Sequence, residues 1–122
     1  MMAELQVELV AADRKVWSGP ARIVITRTTE GDIGIMPGHQ PLLGILITGP
    51  VTIRTPDDDV VSAAVHGGFL SVADDVVSIL AEVAELGDEI DVKRAEAALQ
   101  QAGDDAEAAR RAETRLRAVG SR

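Results

Sequence analysis

Gly31-Asp32-Ile33-Gly34-Ile35-Met36-Pro37-Gly38-His39-Gln40-Pro41-Leu42-Leu43 sets three glycines and two prolines among apolar side chains. Proline removes a backbone donor and glycine costs backbone entropy, so this stretch is not a regular helix. The same residues exclude a long central strand. The expectation is a shaped loop, apolar enough to pack against something. A buried loop must still satisfy its backbone polar groups, which makes apolar loops uncommon. Two readings stand side by side: a tight crossover inside a β-domain, or a contact surface for a partner.

The flanks read as strands. Leu5, Val7 and Leu9 alternate with Glu4, Gln6 and Glu8, the pattern of a half-buried strand. Lys15-Val16-Trp17-Ser18-Gly19-Pro20 reads as a turn with apolar content, where Trp17 serves the core or a hinge. Residues 21–28 are β-rich, with Ile23 and Ile25 on one face and Arg22 on the other. Beyond the glycine-rich stretch, residues 43–47 form a strand, Gly49-Pro50 breaks the chain, and 51–54 resume it. Thr55-Pro56-Asp57-Asp58-Asp59 is a hairpin turn, because proline presets it and aspartate bonds its own backbone. Residues 60–65 return as a strand, and Gly67-Gly68 marks a bulge or a close backbone approach. Residues 69–72 and 76–81 make another hairpin around Asp74-Asp75. Many short strands with regular turns predict an antiparallel, all-β sandwich or barrel.

The pattern changes at Gly87-Asp88. Val92, Ala95, Leu99 and Ala102 recur at helical spacing, with Asp91 placed to cap that helix and Gly103 to end it. Asp104 or Asp105 can cap a second helix striped by Ala109, Ala112, Leu116 and Val119. The expected division is a β-sandwich over 1–86 and an antiparallel αα hairpin over 87–122. The hairpin's apolar faces are largely alanine. A buried methyl contributes about 0.8 kcal/mol, against roughly 1.5–3 for a leucine, so docking should be weak. Weak docking is what a moving element needs.

Composition narrows the function classes. The chain has 122 residues, a net charge of −8 and 46% hydrophobic residues, with one Trp, one Phe, no Tyr and no Cys. Aliphatic residues must therefore fill the core, and thiol chemistry is excluded. No apolar run approaches a membrane span, the start Met1-Met2-Ala3-Glu4 lacks a signal-peptide pattern, and the acidic balance argues against nucleic acid as a partner. Residues 1–86 carry five Lys/Arg against twelve Asp/Glu, whereas 106–122 carry five Arg against two Glu. An acidic body thus ends in a basic tip, either a solvated helix face or a surface attracted to acidic partners. There is no phosphate-binding loop of the G-x-x-x-x-G-K-[ST] type and no nucleophile–base constellation, so the chain is not expected to catalyse anything alone. His39 and His66 without Cys make no zinc site, no metal is expected, and His66 reads as structural.

Together with Gly67-Gly68-Phe69-Leu70-Ser71-Val72, the glycine-rich stretch, the sandwich and the helical hairpin resemble the epsilon subunit of bacterial F-type ATP synthase. The resemblance covers essentially the whole chain. It implies a non-catalytic rotor subunit of the central stalk, peripheral to the cell membrane on its cytoplasmic side. The sandwich would bind the gamma subunit and the membrane-embedded ring of c-subunits, coupling proton flow to ATP synthesis in the catalytic head. The helices would regulate hydrolysis by transient contact with the alpha/beta subunits. By the same resemblance, Gly31, Asp32, Gly34, Met36, Pro37, Gly38 and His39 belong to the c-ring/gamma interface. Asp32 would be the carboxylate facing the ring loops, and His39 would lie near gamma or brace the loop. Arg110, Arg111, Arg115 and Arg117 would supply charge for an inhibitory contact with an acidic segment of beta.

Ile90-Asp91-Val92-Lys93-Arg94-Ala95 resembles the I/L-D-x-x-R-A motif of epsilon subunits that bind ATP. A helix start offers free N–H groups and positive potential, Arg94 adds a donor, and Ala95 leaves room. The plain alternative is that Asp91 caps and Arg94 is solvated. ATP-binding members carry another arginine later in the first helix, and residues 96–101 contain none. The implied ligand is therefore a weak regulatory ATP, with no cofactor required. The alternative function is an ATP-sensing module whose hairpin is a nucleotide-dependent switch.

Overall fold

The computed structural model describes residues 3–120. Ten strands run in order: β1 (Leu5–Ala11), β2 (Lys15–Ala21), β3 (Ile23–Thr28), β4 (Gly31–Ile35), β5 (Leu42–Leu46), β6 (Gly49–Arg54), β7 (Val60–Val65), β8 (Gly68–Ala73), β9 (Val76–Ala81) and β10 (Ala84–Leu86). A 3₁₀ turn at Gly87–Glu89 leads into α1 (Val92–Gln101) and α2 (Ala106–Gly120). Pairing follows the path β10-β7-β6-β3-β5-β8-β9-β1-β2, with β4 added on β3. The link between β3 and β5 is one pair, Thr28 with Leu46. That corner divides the path into two layers, whose inward residues form one core. Leu5, Val7, Leu9, Leu70, Val72, Val77 and Ile79 come from one layer, and Val24, Val51, Ile53, Ala63 and Val65 from the other. The expected sandwich and hairpin are both present.

Several local expectations are corrected. Lys15–Ala21 is a strand, not a turn. It ends the path and pairs only with β1, and an outermost strand tolerates Pro20 because its missing N–H interrupts no ladder. The sheet is not wholly antiparallel, since β1 and β9 run parallel. The stretch expected as one loop is a strand over its first five residues, pairing with β3 from Val24–Ile35 to Thr28–Gly31. Its prolines lie beyond that strand, so the strand rule is respected. Gly49 and Pro50 belong to β6 rather than breaking it. Ile23 and Ile25 do share a face, but it is the outer one, and Val24 turns into the core. The short β10 and the 3₁₀ turn carried no readable pattern. The aspartate turns behave as expected: Asp58, Asp74 and Asp75 all adopt positive φ.

The helices end where their caps dictate. The Asp91 carboxylate accepts from the Arg94 N–H at 3.0 Å, and Asp105 does the same for Ala108 at 3.0 Å. Gly103 turns the chain at φ 55°. Within the stripes, Val92 is exposed rather than packed, while Ala118 and Thr114 are buried without having been foreseen. Helix α2 lies against β6 and β7. Its Ala118 joins Ala64, Ile90 and Ala95 in a second, small core. Small side chains bring the backbones close: a β-carbon on Gly87 would stand 2.8 Å from the Ala118 carbonyl oxygen. Polar bonds complete the docking. Arg115 Nε donates to Glu85 at 2.6 Å, and Thr48 donates to Glu107 at 3.0 Å.

Two substitutions probe these contacts. A β-carbon at Gly68 would fall 2.1 Å from the Leu80 carbonyl oxygen at φ 130°, whereas Gly31, at φ 115°, has open space. Gly68→Ala is expected to cost about 3 kcal/mol or more and Gly31→Ala only about 1 kcal/mol in urea unfolding, because only the first adds a clash to the backbone strain. Equal midpoint shifts would contradict the assigned approach of β8 to β9. Gly87→Ala should instead loosen α2 while leaving the sandwich's unfolding midpoint nearly unchanged, seen as faster proteolysis after Arg115 or Arg117.

Candidate functional site

The residues assigned from the glycine-rich motif lie at the two ends of β4. Gly31, Asp32 and Gly34 sit on the strand, and Met36, Pro37, Gly38 and His39 form the turn beyond it. Asp32 and His39 are therefore seven residues apart in the chain, one on the strand and the other in the turn that follows it. Asp32 is exposed, yet its carboxylate already accepts from Arg27 Nε at 2.9 Å. The turn is braced from the neighbouring layer: the Gly38 N–H donates to the Asp75 carboxylate at 2.7 Å. His39 is half-buried, with Nδ1 2.7 Å from the Gln40 carbonyl, and its N–H bonds back to Met36 at 3.1 Å. The Met36 side chain is left in solvent.

A larger surface went unread in the sequence. Ile45 pairs across with Phe69, and Phe69 with Leu80, so the three form a row over β5, β8 and β9. Their exposures are 55%, 62% and 51%, and Leu43 on the same strand as Ile45 reaches 83%. Inward neighbours Leu46, Leu70 and Ile79 are buried, which places the row on the layer's outer face. The opposite layer covers its own outer face with α2. The available signal was Leu42-Leu43-Gly44-Ile45-Leu46-Ile47, apolar at both parities, which marks a strand buried on both sides.

The third region is the seam between sandwich and hairpin. Ile90, Asp91, Arg94 and Ala95 do come together, at an open cleft of about 400 Å³ that Glu85, Glu89 and Arg115 also line. Arg115 from α2 thus brings a second arginine to the cleft. The cleft is nevertheless rich in carboxylates. Glu89 is held below the usual carboxylate range by the Arg14 guanidinium, 3.1 Å away, and by the Leu86 N–H. Asp91 spends one oxygen on its cap.

The four tail arginines do not form one patch in this conformation. Arg110 and Arg111 both reach Glu107, at 2.8 and 3.6 Å. Arg115 is bound to Glu85, and Arg117 is also engaged. His66, read as structural, lies buried beneath α2 with Nε2 3.3 Å from Glu85. No helix among the described residues is long and apolar enough to cross a membrane.

Comparison with known proteins agrees with this architecture. Residues 4–87 match the family model described as ATP synthase, Delta/Epsilon chain, beta-sandwich domain. The ATP synthase epsilon chain of Streptomyces griseus is 68% identical, covering 100% of both chains. That of Rhodococcus jostii is 56% identical, covering 97% of this chain and 98% of its own. Among solved structures, a chain of the Euglena gracilis mitochondrial ATP synthase, OSCP/F1/c-ring in rotational state 1, superposes with a TM-score of 0.77. It is 24% identical and is covered to 82%, against 99% of this chain, a likeness of fold. With a full-length match at that identity and the sandwich spanned by the family model, the chain belongs to the ATP synthase epsilon chain family.

Proposed function

We propose that this epsilon chain is a rotor element of the central stalk, coupling proton flow through the c-ring to ATP synthesis in the catalytic head. It is a non-catalytic subunit. The observation that carries the coupling role is the uncovered row Ile45–Phe69–Leu80 with Leu43 beside it. A contiguous exposed apolar face rimmed by polar residues marks a protein contact. The occupant proposed for it, by resemblance to the family, is the gamma subunit. The Gly31–Asp32 end of β4 then faces the c-ring loops, and the braced turn 36–39 supports the gamma contact. In this reading the sandwich, residues 1–86, does the binding and the hairpin, 87–122, the regulation.

Regulation of hydrolysis fits the way the hairpin is held. Its apolar contact is mostly alanine, supplemented by the Arg115–Glu85 ion pair and the Thr48–Glu107 hydrogen bond, so docked and raised positions can lie close in free energy. The pairing of Arg115 with Glu85 changes the expected role of that arginine. Docked, it holds the hairpin down; raised, it joins Arg110, Arg111 and Arg117 toward an acidic segment of the catalytic beta subunits.

A second reading, supported by the cleft at Ile90, Asp91, Arg94 and Ala95, is weak binding of a regulatory ATP. Arg94 and Arg115 are its phosphate donors, and the Arg94 side chain has no ion-pair partner among the described residues. Glu85, Glu89 and Asp91 oppose a polyphosphate and keep affinity low. ATP would shift the hairpin toward the docked form only by its differential affinity for that form.

Two experiments test these readings. Phe69→Ser and Ile45→Ser should each weaken binding to gamma by about 2 kcal/mol, roughly 30-fold in Kd, with the sandwich still folded, because buried aromatic anchors dominate interfaces. Asp32→Ala should cost no more than about 1 kcal/mol, as exposed pairs do. Wild-type affinity in both serine variants would move the gamma contact elsewhere. For the cleft, Arg94→Ala should lower ATP affinity about tenfold in titration calorimetry, the usual scale of a charge-assisted hydrogen bond. Unchanged binding, or none in the wild type, would remove the nucleotide reading.

A further inference from the structure

The one buried histidine lies where the hairpin docks. Along β7 and its end, Ser62, Ala64 and His66 alternate with the core residues Ala63 and Val65, so they face outward beneath α2. His66 is 7% exposed. Its Nε2 has the Glu85 carboxylate at 3.3 Å, an acceptor only, so that nitrogen carries the proton. Its Nδ1 is buried without any hydrogen-bond partner. A second proton on this ring would thus enter a buried position with no acceptor.

The charges around the ring also oppose that proton. On α2, Arg115 sits 2.6 Å from Glu85, taking the same Oε1 that His66 contacts. Arg111 also acts on the ring as a nearby cation. Beside it, Glu107 is occupied by Arg110, Arg111 and Thr48. From the β9–β10 connection, Glu82 lines the same recess, together with Arg110. Among the described residues, Glu85 on β10 is the one carboxylate within hydrogen-bonding distance of the ring, and it is already shared. Burial, then Arg115, then Arg111 hold the His66 imidazole below its usual value near 6.5, against the pull of Glu85.

We propose that His66 is a proton-operated latch on the helical hairpin: neutral, it lets α2 dock; protonated, it competes with Arg115 for Glu85, repels Arg111 and Arg115, and releases the helix. Release removes the covering helix and both arginines while leaving Glu85 beside the ring. The imidazole therefore binds a proton more readily in the released form than in the docked one. The sign follows from linkage: the released form holds more protons, so docking is favoured above the usual histidine value and is lost as pH falls below it. Acidification would thus raise the hairpin. That this affects ATP hydrolysis rests on the regulatory role proposed above, whereas the latch belongs to the chain by itself.

The test uses the isolated full-length chain, which has no cysteine of its own. Thr114→Cys places a thiol on the buried face of α2, between Arg111 and Ala118. Its labelling rate, divided at each pH by that of a short peptide carrying the same cysteine, reports how often the helix opens. Between pH 8 and 5.5 the docking constant should fall severalfold, by at most tenfold per pH unit for one proton. His66→Gln should flatten the profile, and Arg115→Gln, which removes a cation opposing the ring's proton, should move its midpoint up. With only two histidines in the chain, the His66 ring resonance can be followed over the same range. It should titrate below the usual histidine value, together with helix opening. Identical profiles for the parent and His66→Gln would overturn the latch. Ring titration without helix opening would overturn it too, and needs no variant at His66.

Discussion

Strand β7 is buried on both faces, and the arrangement of both parts of the molecule depends on it. Its inward residues Ala63 and Val65 close the sandwich core, while its outward residues Ser62, Ala64 and His66 receive α2. A strand in that position must carry small side chains outward if a helix backbone is to lie close. Gly87 extends the same rule, because its missing side chain leaves room for the Ala118 carbonyl. Close approach with little apolar area leaves much of the docking to a few polar contacts. That makes the docked position defined in geometry and modest in free energy.

The other layer has the reverse character. Ile45, Phe69 and Leu80 present large side chains on an outer face that none of the described residues covers. The two outer faces thus serve different ends. One is filled by a small-residue contact that can open without exposing much hydrocarbon. The other carries the large apolar area that a lasting subunit contact requires. The rotor role with a movable regulator proposed above would need both, and separating them on opposite layers would let one stay bound while the other moves.

The seam gathers more charge than either face. Glu85 is shared by Arg115 and His66, Glu89 is held by Arg14, and Asp91 caps α1. The Arg115–Glu85 pair ties the strand body to α2, and the Arg14–Glu89 pair ties it to the turn that leads into the helices. Electrostatic couplings of this kind respond to protons, to anions and to salt. Alanine packing answers to none of these, so the charged seam is where conditions in solution would act on the hairpin.

The amino-acid sequence determined the local structure wherever one rule acted alone. Alternation fixed the inward side of β1, aspartates fixed the turns at 58 and 74–75, and Asp91, Asp105 and Gly103 fixed the helix ends. Long motifs carried the family. Local rules failed where the deciding partner was distant in the chain. Pro20 is tolerated because β2 is outermost, Gly31–Ile35 is extended because β3 lies beside it, and Ile25 faces out because Val24 meets the core. Of the candidate site, the cluster 90–95 was legible because a helix start holds its residues together. Arg115 beside Arg94, Phe69 between Ile45 and Leu80, and His66 beneath α2 were not. Each joins side chains far apart in sequence, and only the packed fold decides which of them share a surface.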